Sequence, residues 1–149
     1  MPIVTTIEGR IAQVAIDRPE KRNTLSSELC KDLAREFLEL NDDTRVRSIV
    51  LCGHNNVFCA GLDIEEQLAE NTPIFNEFQK VIDALDALSK PVVAAVSGPA
   101  VSQGAAMLYH CDLVFAGEHA LFSMPGLALG QTPRYGVSLL AVKSGGYKL

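Results

Sequence analysis

Residues 90–104 read KPVVAAVSGPAVSQG, a pattern that predicts a strand, a turn and the beginning of a helix. The apolar run at residues 91–96 predicts a buried strand, which the turn-forming residues Ser97-Gly98-Pro99 close. Residues 104–110 are short and apolar enough for a buried helix. Strands that alternate with helices need crossover connections, so this segment predicts a parallel sheet.

The rest of the chain extends the same order in both directions. Residues 3–7 and 11–16 predict a hairpin around Glu8-Gly9-Arg10, and residues 48–52, 113–116 and 120–122 predict further strands. Two amphipathic helices are predicted between them, one capped by Ser26 or Ser27 and the other opened by Pro73. Their apolar positions are Leu29, Leu33, Phe37 and Leu40 in the first, and Ile74, Phe78, Val81, Ile82, Leu85 and Leu88 in the second. With a third helical segment at 137–142, we predict one α/β domain over residues 1–149 with a largely parallel, buried sheet.

Composition excludes several classes of protein. The 149 residues are 48% hydrophobic and carry 13 basic against 18 acidic side chains, a net charge of −5. This balance is typical of a folded globular chain and argues against a disordered chain and a nucleic-acid binder. No window is apolar for long enough to span a membrane, and no secretory signal is visible. We expect a cytoplasmic protein with reduced cysteines and no metal site, because Cys30, Cys52, Cys59 and Cys111 form no ligand pattern.

Candidate chemistry lies in loops rich in small residues. Residues 56–63, 97–104 and 125–133 each follow a predicted strand, where open α/β sheets bind ligands. Small residues let a ligand approach the backbone, and N–H groups at a helix start can form an oxyanion hole. Spacing alone equally allows tight turns without a ligand.

Several of these segments resemble the crotonase, or enoyl-CoA hydratase/isomerase, family. The motifs that carry the resemblance are residues 18–23 (RPEKRN), 58–64 (FCAGLDI), 90–98 (KPVVAAVSG), Cys111-Asp112, 122–125 (FSMP) and Leu129-Gly130. Their order and separations cover almost the whole chain. The chain looks cut short before the family's C-terminal helical segment, which helps to build trimers.

The resemblance implies a crotonase/ClpP-like spiral of ββα units that acts on an acyl-CoA thioester in acyl-CoA or fatty acid metabolism. Backbone N–H groups of Ala60 and Gln103 would stabilise the enolate. The residues matching the family's CoA and substrate contacts are Lys21, Arg22, Ala60, Gly61, Leu62, Asp63, Ile64, Pro125 and Leu129. No cofactor is implied beyond the coenzyme A of the substrate, and the full-length family form is a homotrimer or hexamer.

The departures from the family concern acid and base catalysis. The two glutamates of typical hydratases fall at Ala106 and Gly126, and the carboxylate of many isomerases and dehalogenases falls near Arg134. Losing a general base costs about two to four orders of magnitude in rate, so we expect poor hydration. The family's three-glycine segment is replaced by Ser102-Gln103-Gly104.

Other readings of the site stay open. Glu65 and Glu66 could reach inward or start a solvated helix, and Tyr135 could donate a hydrogen bond or only pack. Ser102 resembles the nucleophile of the ClpP proteases, but the family's histidine position is Ser123, so a helix cap is more economical. The remaining alternative is a non-catalytic acyl-CoA-binding or assembly module. His54, His110 and His119 are expected to be structural.

Overall fold

The computed structural model describes residues 2–69 and 71–145, and at Leu127 and Leu129 it describes the backbone only. The strands are β1 (Ile3–Glu8), β2 (Ile11–Ile16), β3 (Ser48–Gly53), β4 (Val92–Val96), β5 (Pro99–Val101), β6 (Leu113–Ala116) and β7 (Leu121–Ser123). The helices are α1 (Ser27–Asp42), α2 (Ile64–Gln67), α3 (Ile74–Asp86), α4 (Gln103–Leu108) and α5 (Val137–Gly145), with short 3₁₀ helices at Pro19–Lys21 and Pro125–Leu129.

A five-stranded sheet in the order β1-β2-β3-β4-β6 forms the centre of the fold. The hairpin pair β1–β2 is antiparallel, and β2–β3, β3–β4 and β4–β6 are parallel. Each parallel pair needs a crossover, which α1, α3 and the segment containing α4 provide. The carboxyl ends of β2, β3 and β4 therefore open towards the same edge, where the candidate loops begin.

Helices α1 and α3 pack against each other and against the sheet to form the core. Leu29, Leu33 and Phe37 of α1 and Phe78 and Val81 of α3 are fully buried. The predicted start of α1 is confirmed, since the Ser26 hydroxyl accepts a hydrogen bond from the N–H of Leu29 at 3.1 Å. Apolar residues spaced three or four positions apart predict these two helices correctly, because one face of each helix is buried.

The structure differs from the sequence expectations in a few elements. Pro73 is the N-cap of α3 and lies outside its first turn, and Leu88 lies beyond the end of that helix. β5 was not predicted, because its three residues form a strand only by pairing with β7 in a separate parallel two-stranded sheet. β6 is exposed along its whole length at the edge of the main sheet. Within residues 2–69 and 71–145, no helix has the length and apolarity to cross a membrane.

Candidate functional site

The structure brings the three predicted loops together at the carboxyl end of the sheet. Backbone hydrogen bonds join the first two loops, from Cys59 to the carbonyl of Pro99 at 3.1 Å and from Val101 to the carbonyl of Cys59 at 2.9 Å. Ser102 then donates its N–H to the carbonyl of Ser123 at 2.8 Å, at the end of β7, immediately before the third loop. The positions of residues 102 and 103 are therefore fixed by strands on both sides.

Glycine is required where the first two loops touch. A Cβ atom at Gly104 would lie 2.3 Å from the carbonyl oxygen of Cys59, closer than any side chain can approach. Gly61 has φ +97°, and a Cβ there would lie 3.1 Å from the Cβ of Ser102. The two glycines let the backbone of residues 59–62 lie directly against the beginning of α4.

The N–H of Gln103 is uncommitted at the first position of α4. A helix leaves its first N–H groups without acceptors inside the helix. Ser102 occupies the N-cap position, as predicted, but makes no capping hydrogen bond, and its hydroxyl donates to the Gln103 side-chain oxygen at 2.7 Å. Within the described part of the chain, the Gln103 N–H donates no hydrogen bond.

The N–H of Ala60, predicted as the second donor, is already in use. It donates to the carbonyl of Arg22 at 3.3 Å. Two residues after Ala60, Leu62 pairs with Leu25 in a parallel bridge. In this bridge the Gly61 carbonyl accepts the N–H of Leu25, and the N–H of Asp63 donates to the Leu25 carbonyl. The N–H of Leu62 points away from that bridge and donates no hydrogen bond within the residues the structure describes. Sequence reasoning placed Leu62 only among the CoA contacts.

A polar network holds the basic turn of residues 18–24 beside the segment 60–64. Arg18 pairs with the buried carboxylate of Asp63 at 3.0 Å, and the other oxygen of Asp63 accepts the N–H of Glu65 at 3.1 Å. Lys21 donates to Glu65 at 2.7 Å, and this hydrogen bond raises the pKa of the Lys21 ammonium. The predicted CoA residues on these two segments are thus neighbours.

The remaining predicted contacts are less closely placed. Arg22 is exposed and contributes its backbone carbonyl to Ala60, and Ile64 is exposed at the start of α2. Pro125 begins the 3₁₀ helix of the third loop and is half-buried. The side chain predicted to contact substrate at Leu129 lies outside the described residues.

A cavity of about 250 Å³ lies beside the first turn of α4. Gln103 lines it, and so do Ala106, Gly126 and Arg134, the positions where the resemblance put the family's acid and base groups. Ala106 follows Gln103 by three residues and shares its face of the helix. Among the described residues, no aspartate, glutamate or histidine lines this cavity. These three positions therefore line one cavity, and a catalytic site there stays a prediction.

Tyr135 is the only titratable residue besides Arg134 in the described lining of the cavity. Its ring packs edge-to-face on Phe78 with centroids 4.7 Å apart, and its buried hydroxyl has no hydrogen-bond partner among the described residues. Burial raises the pKa of Tyr135 to about 12. At neutral pH the phenol is protonated, so it can donate a hydrogen bond but cannot act as a base.

The acidic residues considered as substitutes are engaged elsewhere. Glu65 pairs with Lys21, and Glu66 accepts the N–H of Ser27 at 2.8 Å at the start of α1. Neither side chain lines the cavity. Glu65 therefore pairs with the basic turn and Glu66 with the beginning of α1, and neither reaches into the cavity.

Within residues 2–69 and 71–145, no histidine is placed to act as a base for Ser102. The Ser102 hydroxyl donates to Gln103, and His119 is exposed beside Glu118 at 3.3 Å. His54 pairs with Asp17, and His110 contacts Asp86 at 2.7 Å. None of the three histidines has Ser102 as a partner, so the ClpP-like reading lacks its second residue.

Comparison with known proteins gives the same family from sequence and from structure. The family model for enoyl-CoA hydratase/isomerase matches residues 6–149. A short-chain-enoyl-CoA hydratase from Clostridium acetobutylicum is 35% identical over 139 residues, which are 90% of this chain and 53% of that protein. A probable mitochondrial enoyl-CoA hydratase from Dictyostelium discoideum is 33% identical over 134 residues, covering 89% of this chain and 48% of the relative.

The solved structures match equally well. A putative enoyl-CoA hydratase/carnithine racemase from Magnetospirillum magneticum superposes with a TM-score of 0.91 at 33% identity, over 99% of this chain and 58% of that one. The predicted crotonase-type fold is confirmed by this match. The chain spans about half the length of the curated relatives it matches. It belongs to the enoyl-CoA hydratase/isomerase family.

Proposed function

We propose that this chain binds an acyl-CoA thioester and polarises its carbonyl with the backbone N–H groups of Leu62 and Gln103. The observation that carries the proposal is the uncommitted N–H of Gln103 on a residue that lines the cavity. Two such donors aimed at a thioester oxygen would stabilise the enolate that forms when a proton leaves the adjacent carbon. Membership of the family supports the substrate class.

Leu62 replaces Ala60 in this proposal because of the hydrogen bonds around it. Using the Ala60 N–H would mean breaking its bond to the Arg22 carbonyl, whereas the Leu62 N–H is uncommitted in the described structure. Gly61 lies against Ser102 and Gln103, so the peptide that carries the Leu62 N–H is next to the start of α4. Both donors then come from contacting segments.

We assign the CoA portion of the ligand to the basic turn and the segment beside it. Lys21 and Arg22 are cations on the turn, and the exposed side chain of Ile64 offers an apolar surface. Phosphate groups favour such cations. Homotrimeric or hexameric assembly and a cytoplasmic location stay predictions.

A second candidate function is binding without turnover. It is favoured by the lining of the cavity, in which Ala106 and Gly126 provide no carboxylate and Tyr135 stays protonated. A site with oxyanion donors and no base would bind and polarise a thioester while adding water to it slowly. Both candidate functions predict that the thioester carbonyl is polarised, and only the catalytic one predicts turnover.

The first experiment compares Gln103→Pro with Gln103→Ala. Proline is well accepted at the first position of a helix and lacks the N–H, whereas alanine keeps the N–H and removes the side chain. With butyryl-CoA bound, we expect the infrared carbonyl stretch to shift to lower wavenumber in the parent and equally in Gln103→Ala. The shift should be clearly smaller in Gln103→Pro, which keeps only the Leu62 N–H. An unshifted carbonyl in the parent with ligand bound would refute the oxyanion assignment.

The second experiment separates the two candidate functions. Mass spectrometry of crotonyl-CoA incubated with the parent detects any product heavier by one water. In Ala106→Glu with Gly126→Glu, both side chains would enter the cavity, and Gly126 has space since a Cβ there lies 3.4 Å from its nearest neighbour. We expect hydration to rise by about two to four orders of magnitude. The matched double glutamine variant should show no gain.

A further inference from the structure

Arg134 gives the cavity a charge that the proposed chemistry does not use. It lines the cavity while remaining exposed to solvent, and its guanidinium carbon lies 5.1 Å from the centre of the Phe75 ring. An aromatic face attracts a guanidinium and holds it in place. Within the described residues, Arg134 has no acidic partner within 4.0 Å, so its charge is available to a ligand.

We infer that the acyl group bound here carries a second, carboxylate end, so that the ligand is the CoA thioester of a dicarboxylic acid. This inference rests on the proposed function and adds the chemical class of the acyl group. Arginine matches a carboxylate with two parallel N–H donors. A neutral acyl chain would leave this cation with solvent alone and without an anionic partner.

The surroundings of Arg134 favour an anion over a neutral chain. No acidic side chain among the described residues lines the cavity, and the positions where carboxylates would repel an anion are Ala106 and Gly126. A cation without a compensating anion in a concave site raises the local concentration of negative ligands. The site therefore favours an anionic ligand, whereas a site lined by glutamates would repel one.

Two polar side chains next to Arg134 complete the receiving surface. Gln131 and Thr132 also line the cavity, and neither side chain forms a hydrogen bond within the described part of the chain. The Gln131 N–H donates to the carbonyl of Gly126 at 2.7 Å, which folds the third loop back over the cavity. A carboxylate has acceptor sites for an arginine and for both neighbours at once.

The test compares thioesters that differ only at the far end of the acyl chain. Calorimetry would give dissociation constants for adipoyl-CoA against hexanoyl-CoA, and for succinyl-CoA against butyryl-CoA, with the parent and with Arg134→Met. We expect the parent to prefer one of the dicarboxylate ligands by roughly tenfold, and the preference to disappear in Arg134→Met. The chain length that shows the preference reports how far the carboxylate lies from the thioester.

Arg47→Met is the matched control. Arg47 is also exposed, but it precedes β3 at the opposite end of the sheet, so its removal lowers the net charge equally and should leave the preference unchanged. If hexanoyl-CoA and butyryl-CoA bind but the parent shows no preference for a dicarboxylate ligand, this inference is overturned and the proposed function stands. The same holds if the preference persists in Arg134→Met. If no acyl-CoA binds to the parent, the proposed function fails and this inference fails with it.

Discussion

Replacing Asn23 by aspartate changes one atom at a fully buried joint between two loops of the site. Asn23 has none of its surface exposed. Its side-chain oxygen accepts the N–H of Arg18 at 2.8 Å, and its amide nitrogen donates to the carbonyls of His54 and Val57 at 3.0 and 2.7 Å. These three hydrogen bonds tie the basic turn to the loop that leads into residues 58–63.

The cost of Asn23→Asp follows from these bonds. A carboxylate keeps the bond from Arg18 but turns both donated bonds into contacts between oxygen atoms. The Val57 carbonyl is left without a donor, whereas the His54 carbonyl keeps the N–H of Val57 at 3.4 Å but faces a carboxylate oxygen. At about 1–3 kcal/mol for each bond lost in this joint, the variant should lose about 2–6 kcal/mol of unfolding free energy. A domain of this size has about 5–15 kcal/mol in total, so a large part of the stability depends on this amide.

Urea unfolding followed by far-ultraviolet circular dichroism measures the loss. The control is Asn41→Asp, since Asn41 uses only its oxygen, which accepts from the N–H and hydroxyl of Ser89 at 2.9 and 3.0 Å. A carboxylate preserves both bonds, so we expect a change within about 0.5 kcal/mol. Equal urea midpoints for the two variants would refute the reasoning.

Three further predictions concern the packed backbone and the thiols. In urea unfolding, Gly104→Ala should fail to fold or lose several times the free energy of unfolding that Gly117→Ala loses. The Cβ at residue 104 would lie 2.3 Å from the Cys59 carbonyl oxygen, whereas the Cβ at residue 117 has its nearest neighbour at 3.6 Å. Similar losses in the two variants would contradict this. Burial raises the pKa of Cys59 and of Cys111 to about 12, from an ordinary 9.0, so native alkylation by iodoacetamide at pH 8 should be slow and become fast in urea. A thiol pKa raised in the folded state stabilises fully below pH 9.0 and loses that effect as pH rises towards 12. The free energy of unfolding should therefore fall above pH 9, by about 1.4 kcal/mol per pH unit for each thiol. A urea midpoint that stays constant over this pH range would exclude this.

The helices and the long strands could be predicted because local patterns determine them. Leu29, Leu33 and Phe37 recur on one face, and the matching helix α1 buries all three. Residues 11–16 give β2 with the same bounds. β5 could not be predicted, because Pro99–Val101 has no strand pattern of its own and depends on β7, which is twenty residues further along the chain.

The sequence indicates the segments of the candidate site, but it does not show which N–H groups of those segments are without acceptors. The family motifs identified positions 106, 126 and 134, which the structure places around one cavity. Which N–H is available in residues 60–63 depends on where the carbonyls of Arg22 and Leu25 lie, and no local pattern encodes that. The charge preference of the cavity likewise depends on Arg134 meeting Phe75 from a distant helix.

The hydrogen bond from Ser102 to the carbonyl of Ser123 has a consequence for the order in which the protein becomes competent during synthesis. A ribosome that has released residues 1–110 has delivered the whole of α4, but not the strand that fixes its first turn. Domains fold as units as the chain emerges, from the N-terminus onwards. The chain therefore acquires a defined Gln103 N–H only when β7 has emerged and paired with β5.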